Sequence, residues 1–288
     1  MPFFSIIIPT YNRAKIISPT IQSILDQTFT DWELIIVDDG GDDNTEKIIS
    51  GFNDSRIKYF WKENGERGAA RNFGVSKSKG QHINFFDSDD LMYDFHLTLA
   101  HNKLVSNSKI NVLTFTWDYF NTTTQEVYKS PVSNKDINKN IFKKVCINLN
   151  GTFIKRKCLD KVRFAEDRNF RIAEDWYFFI KLSLKTQIFS IDISTSKYIL
   201  HDNNTMSHLS SHDYLIALSY FKKLITENDI VNKHKKYLLA ELYSMLSLAN
   251  SIERNKIKAI NFLFKSVSFN FKLMFSKRTL ATIKRILC

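Results

Sequence analysis

Residues 85–90, FFDSDD, place three carboxylates within four positions directly after an apolar run. Charges this close repel one another unless a cation, hydrogen-bond donors or open water compensates them. If the extended geometry of residues 84–86 continues, side chains two apart share a face, so Asp87 and Asp89 point the same way. Oxygen ligands at that spacing suit a hard cation, Mg2+ or Mn2+, which proteins hold with one or two carboxylates completed by phosphate oxygens. The spacing is equally compatible with a turn that caps a helix near Leu91.

Four further stretches carry chemistry of their own. In VDDGGDD, residues 37–43, an aspartate at a strand end can accept from the imide N–H of a uracil or from ribose hydroxyls, and Gly40 and Gly41 let the backbone turn sharply. The competing account is a polar turn that starts the next helix. RGAARNFG, residues 67–74, sets Arg71 near a helix start, where a guanidinium and the helix N-terminus together suit a phosphate or a nucleotide edge. In AEDWYFFIKL, residues 173–182, an acid opens a helix that is otherwise aromatic: a general base in a half-apolar pocket, or simple helix capping. Finally, HDNNTMSH, residues 201–208, offers His201 as a third metal ligand beside the carboxylate cluster.

These residues need elements to position them, and the first half of the chain alternates strand and helix patterns. Strands are predicted over 5–8, 33–37, 57–61 and 82–86, with helices over 14–26, 45–52 and 68–78 between them. Such alternation implies an α/β fold, an open, largely parallel sheet with helices on both faces. Ligands then bind outside the carboxyl ends of the strands, near a switch in strand order. The segments there are 9–13, 38–43, 62–67 and 87–90, all polar and two strongly acidic. A hairpin follows over 111–129, with NTTTQ as its turn, then short strands over 151–155 and 198–200 and a helix over 173–184. Beyond residue 212 only helices are predicted, over 214–227, 233–252, 257–266 and 279–287. The boundary falls near residue 210, dividing a domain of residues 1–210 from a helical basic region of residues 211–288.

Composition excludes several classes. With 43% hydrophobic and 25% charged residues the chain is neither disordered nor fibrous. Cys146, Cys158 and Cys288 form no C-x-x-C pair, so neither a disulfide framework nor a thiolate zinc site is suggested. There is no basic leader before the first apolar run and no stretch of about 18 apolar residues. The expectation is a cytoplasmic chain. The net charge of +11 is largely a property of the end of the sequence: after Glu253 there are nine Lys and Arg residues and no acid. Such an excess suits a polyanionic surface.

Taken in order, SIIIPTYNR, ELIIVDDGGDDNT, NGERGAARNFG, FFDSDD, GTFIKR and AEDW resemble the inverting family 2 glycosyltransferases of the GT-A fold, over roughly residues 3–210. The resemblance implies a GT-A, Rossmann-like sheet with a C-terminal all-helical appendage, and a metal-dependent, inverting, non-processive transfer of one sugar from a nucleotide-diphosphate sugar. By the same resemblance Pro9, Thr10, Tyr11 and Arg13 look like the nucleotide-facing segment, Asp39 the residue that reads the base, typically uracil, and Arg71 a basic residue that approaches the nucleotide. Asp87, Ser88 and Asp89 match the family's D-x-D signature. There the first carboxylate sits near the ribose and the last binds the Mn2+ or Mg2+ that bridges the diphosphate. Asp175 matches the catalytic base, and His201 is similar to a histidine near the metal in part of the family. The implied partners are a nucleotide-sugar donor and a glycan or lipid-linked acceptor, as in surface polysaccharide assembly.

The chain departs from the family pattern at Gly41, where a serine is common, and no Q-x-x-R-W segment follows the base. A sugar-phosphate nucleotidyltransferase would open with a Gly-rich phosphate loop, and PTYNRAK contains no glycine. A nucleic-acid-binding protein is disfavoured by acidic strand-end loops, so no nucleic acid is expected as a partner. In the basic tail, Phe262, Phe264, Phe269, Phe271 and Phe275 lie among lysines. That composition fits either a segment on anionic lipid, placing the chain peripherally at the inner face of a membrane, or helices packed onto the catalytic domain.

Overall fold

The computed structural model describes residues 1–130, 136–200 and 210–287. The strands are β1 Phe4–Thr10, β2 Trp32–Asp38, β3 Ile57–Trp61, β4 His82–Phe85, β5 Leu91–Met92, β6 Val112–Asn121, β7 Val127–Lys129, β8 Thr152–Lys155 and β9 Ile188–Leu200. The helices are α1 Ile17–Leu25, α2 Thr45–Ser50, α3 Glu66–Lys77, α4 His96–Ser106, α5 Ile137–Asn140, α6 Arg156–Leu159, α7 Glu174–Ser183, α8 Ser211–Glu227, α9 Asp229–Lys233, α10 Lys235–Ile252, α11 Lys256–Phe269 and α12 Lys277–Leu287. Two compact units result. One comprises residues 1–138, 146–168 and 178–201, and the other residues 139–145, 169–177 and 202–288.

The first unit is built on a mixed sheet in the order β3-β2-β1-β4-β8-β6-β9-β5, with β7 paired to β6. β1, β2, β3 and β4 run parallel, and β6 pairs with β9 in parallel. β8 is antiparallel to both β4 and β6, and β5 is antiparallel to β9. The near-continuous apolar runs FSIIIPT and WELIIVD are what strands covered on both faces require. Phe4, Ile6 and Ile8 of β1 join Leu34, Ile36, Ile21, Ile24, Leu97 and Phe153 in one core. Because β2 lies on one side of β1 and β4 on the other, strand order switches at β1, and the carboxyl ends of β1, β2 and β4 share one edge of the sheet.

Several sequence expectations are corrected. Residues 198–200 are only the end of β9, whose Ser, Asp and Lys positions mask its strand character. α1 begins at Ile17 rather than 14, because the amides of Arg13 and Ala14 are drawn to Thr45 Oγ1 and Asp43 Oδ2. α4 carried no recognisable pattern; the helix expected over 233–252 is α10, which starts at Lys235, and a short helix not expected from the sequence, α9, precedes it. Among the described residues no helix is long and apolar enough to cross a membrane.

Two histidines are buried in this unit with no carboxylate hydrogen-bonded to either ring among the described residues. His96 lies between Phe86 and Phe153, and burial pushes its imidazole down to about 3, opposed only in part by the Thr195 backbone. His82 is stacked on Phe3 and lowered to about 4, by burial first and by the charges of Lys155 and His101 after it. Both values lie below the unfolded value of about 6.5, so the unfolded chain binds more protons as pH falls. Their stability is therefore present above pH ~6.5 and lost on acidification. Asp90, raised by burial and by the charges of Asp89 and Asp87, acts in the opposite sense. Below pH ~6.5 each histidine contributes a slope that approaches one proton, about 1.4 kcal/mol per pH unit. Urea midpoints on the wild type and on His96→Leu check this: the variant's slope should be shallower by up to one proton, and an unchanged slope would refute the assignment.

Candidate active site

The turn that follows β4 does not continue the strand. Residues 88–89 turn, with the Asp90 amide donating back to the Asp87 carbonyl at 3.4 Å. Asp87 and Asp89 therefore do not share a face through strand alternation. The helix-cap account also fails, since Leu91–Met92 is strand β5 and the next helix begins at His96 with no side-chain cap. The turn is fixed from three sides. Asn150 Oδ1 accepts from the Asp87 amide at 2.9 Å, the Thr20 hydroxyl donates to the Ser88 carbonyl at 3.0 Å, and the buried Asp90 accepts from Asn150 Nδ2 at 2.5 Å and from the Ile199 amide at 2.8 Å.

Asp90 is thus the structural member of the trio. Burial first, then the charges of Asp89 and Asp87, push its carboxyl well above the usual range. Asp87 and Asp89 keep 35% and 21% of their side chains exposed, and an arginine approaches each. Arg71 Nη2 donates to Asp87 Oδ1 at 3.1 Å from a side chain only 3% exposed, and its guanidinium lies 5.2 Å from the Phe164 ring centroid. Arg13 Nη2 is 3.9 Å from Asp89 Oδ2.

The loops after β1 and β2 interlock beside this turn. Asn12 Nδ2 donates to Asp42 Oδ1 at 2.8 Å, and the Asp42 amide returns a bond to Asn12 Oδ1 at 2.9 Å. Gly40 has φ +83°, a left-handed conformation, and a Cβ there would lie 2.8 Å from the Asn64 amide nitrogen. A Cβ on Gly41 would lie 2.7 Å from Asp38 Oδ1 and 2.9 Å from Asn12 Oδ1, which is why this loop carries glycine where the family pattern often has serine.

The two adjacent aspartates divide their work. Asp38 accepts from the Gly41 amide at 2.8 Å and the Tyr59 hydroxyl at 2.9 Å, so it is committed to the loop. Among the described residues Asp39 accepts through Oδ1, which Lys62 Nζ reaches at 2.7 Å and the Gly65 amide at 3.0 Å.

Of the other expected residues, Thr10 is buried with no partner for its hydroxyl, Tyr11 is half exposed, and Pro9 lies within β1 opposite Val37. Ser88 is buried in its turn. His201 lies outside the described residues. Asp175 stands in the first turn of α7, in the second unit, where its Oδ1 accepts from the Trp176 amide at 2.7 Å. Ala173, two residues earlier, holds a left-handed φ of +58°, and Trp176 is locked by a bond from Nε1 to the Ile141 carbonyl at 2.6 Å.

Sequence reasoning missed Asn150, Lys62 and Asp38. Lys62 sat in a strand-end segment already marked as polar, so a signal existed; Asn150 comes from a distant loop and had none.

Among the described residues no group of three or more His, Cys, Asp or Glu side chains could hold a metal ion. Asp87 and Asp89 remain as a partly exposed carboxylate pair. Completed by phosphate oxygens, such a pair is the donor set that Mg2+ and Mn2+ take, so the residues present fit the group.

The family model described as glycosyl transferase family 2 matches residues 5–163. An Escherichia coli protein, UDP-Glc:alpha-D-GlcNAc-diphosphoundecaprenol beta-1,3-glucosyltransferase WfgD, is 30% identical over 84% of this chain and 90% of its own length. An uncharacterized glycosyltransferase of Rickettsia conorii is 29% identical over 90% of this chain, which spans only 43% of that protein's length. Among solved structures, Staphylococcus aureus TarS 1-349 in complex with UDP-GlcNAc has a TM-score of 0.70 at 22% identity, covering 98% of this chain and 88% of that one. A Pyrobaculum calidifontis mannosyltransferase in complex with GDP-Man and Mn2+ has a TM-score of 0.65 at 17% identity, covering 99% and 85%. The interlocked acidic loops at the carboxyl ends of β1, β2 and β4 and the match over residues 5–163 agree: this chain belongs to glycosyl transferase family 2.

Proposed function

We propose that this chain transfers a single hexose-type unit from a UDP-sugar to a hydroxyl of a glycan or lipid-linked acceptor, with inversion at the anomeric carbon, in the assembly of a surface polysaccharide. The observation that carries this reading is the Asp87-Ser88-Asp89 turn set between Arg71 and Arg13 at the strand switch point, beside Asp39. Two arginines facing two carboxylates would repel a bare diphosphate less than the acids alone do, and both guanidiniums can turn to phosphate oxygens when a nucleotide arrives.

Each residue then has a task. Pro9, Thr10, Tyr11 and Arg13 border the nucleotide. Asp87 takes the ribose side and Ser88 keeps the turn's shape. Asp89, with Asp87, is the ligand for Mn2+ or Mg2+, which when bound offsets the charge growing on the departing diphosphate. Asp175 accepts the proton of the acceptor hydroxyl as that oxygen attacks. The chemistry named for TarS and for the E. coli relative, UDP-GlcNAc and UDP-Glc, supports a uridine donor.

Asp39 gives a physical reason for uracil. Its Oδ1 is occupied by Lys62 and Gly65, which leaves Oδ2 for an incoming base. Uracil presents one imide N–H to such an oxygen, whereas guanine presents two adjacent N–H donors that call for both. Lys62→Met releases much of that constraint. Competition of UDP and GDP against a labelled UDP-sugar should show UDP preferred by the wild type, and the preference falling roughly tenfold in the variant, the worth of one charge-assisted bond. A wild type that prefers GDP would refute the base assignment while leaving the reaction class standing.

A further inference from the structure

On α11 and α12 of the second unit the fully buried residues are small, while several large apolar residues are exposed. α11 buries Ala259 and Ser266 against α10: the Ser247 hydroxyl donates to the Ala259 carbonyl at 2.7 Å, and the Ser266 hydroxyl to the Ala240 carbonyl at 2.8 Å. α12 buries Thr279 and Thr282 and is held by the Arg278–Glu241 ion pair at 2.7 Å. A helix that only needs a water-facing side does the reverse, burying its large apolar residues. Here Ile257 is 76% exposed, Phe264 71%, Phe275 75% and Leu287 79%.

These exposed residues are ordered. Ile257, Ile260 and Phe264 recur at i, i+3 and i+7 on α11, so they form one stripe. On α12, Leu280 and Leu287 repeat at the same spacing, and Lys277 and Lys284 stand one turn before and after Leu280. Between the two helices a 3-10 turn, Phe271–Phe275, adds two exposed phenylalanines around Lys272. Close helix packing through small residues with large apolar residues facing outward is the arrangement that a lipid environment favours. Lysine stems lying along apolar surface, with their ammonium groups at the rim, suit the headgroup level.

We propose that α11, the Phe271–Phe275 turn and α12 form a docking surface for an anionic lipid bilayer, lying in the interface without spanning it. Charge selects this occupant. Nine Lys and Arg residues and no acid follow Glu253; Arg278 is paired with Glu241, and the other eight would meet the same excess of positive charge on a second copy of the chain. Nucleic acid would satisfy the lysines, yet gives Ile257, Leu280 and Leu287 nothing apolar to bury against. The inference is independent of the glycosyltransferase reading, because it concerns binding alone.

Flotation of the full chain with phosphatidylcholine vesicles, with and without phosphatidylglycerol, tests it. The wild type should float only with the anionic vesicles and be released by high salt. Replacing Phe264, Phe271 and Phe275 by serine should cut partitioning roughly tenfold or more, and a separate Lys272→Glu, Lys277→Glu, Lys284→Glu variant should do the same. Circular dichroism and a thermal melt of each variant show whether it remains folded and should not change. The proposal is overturned if the wild type does not float, if it binds neutral vesicles equally, or if both variants float as it does. Retention on RNA in place of vesicles would overturn it, and so would a wild-type dimer that becomes a monomer in the serine variant without any flotation.

Discussion

Asp175→Asn is expected to lower kcat for sugar transfer by roughly 10^2- to 10^4-fold, the usual contribution of a positioned general base, while KM for the donor stays within about threefold. Asparagine keeps the oxygen that accepts from the Trp176 amide, so the start of α7 is preserved and only the proton acceptor is removed. The neighbouring residues show how firmly that carboxyl is held. Trp176 is fully buried and bonded to the Ile141 carbonyl, and the left-handed Ala173 sets the helix start. A structural role predicts a different pattern: lower stability with a proportionate loss of active protein. The pH profile separates the two, since the variant should also lose the acidic limb of kcat that a titrating base produces. A kcat within tenfold of wild type would remove Asp175 from the chemistry.

The second large effect is expected at Asp89. Asp89→Ala should reduce transfer by roughly 10^3-fold or more, about 4 kcal/mol in the barrier, because the leaving diphosphate loses the ligand that holds its compensating charge. The fold is expected to survive. The Asp89 charge is one of the causes that push the buried Asp90 carboxyl up, so its removal relieves that site. Asp90→Ala is the useful contrast. It would strip Asn150 and the Ile199 amide of their acceptor and is expected to cost stability before activity. Thermal melts and transfer rates on the two variants together distinguish the functional carboxylate from the structural one.

The parallel half of the sheet was readable because β1 and β2 are nearly unbroken apolar runs and each is followed by a helix pattern and a polar strand end. β9 was not, since Ser190, Asp192, Ser194, Ser196 and Lys197 interrupt it and its identity depends on pairing with β6. The acidic residues were likewise legible as a cluster, but not their division of labour. Asp38 and Asp39 are adjacent and chemically identical, and only the positions of Gly41, Tyr59, Lys62 and Gly65 engage both oxygens of one in the loop and Oδ1 of the other. For Asp87 and Asp89, the sequence argument joined the pair through a strand that does not exist there; the turn is made by Asn150 and Thr20, from loops and helices that no local pattern connects to FFDSDD. In the basic tail, composition announced the charge. Which residues face outward followed only from the burial of Ala259, Ser266, Thr279 and Thr282.

Isothermal calorimetry of UDP with the wild-type chain and with Asp89→Ala, each in Mn2+ and in EDTA, tests the central claim most directly. The account requires UDP binding by the wild type that is strengthened by Mn2+, and no such gain in Asp89→Ala. UDP binding that ignores Mn2+, or a gain that persists in the variant, would contradict it.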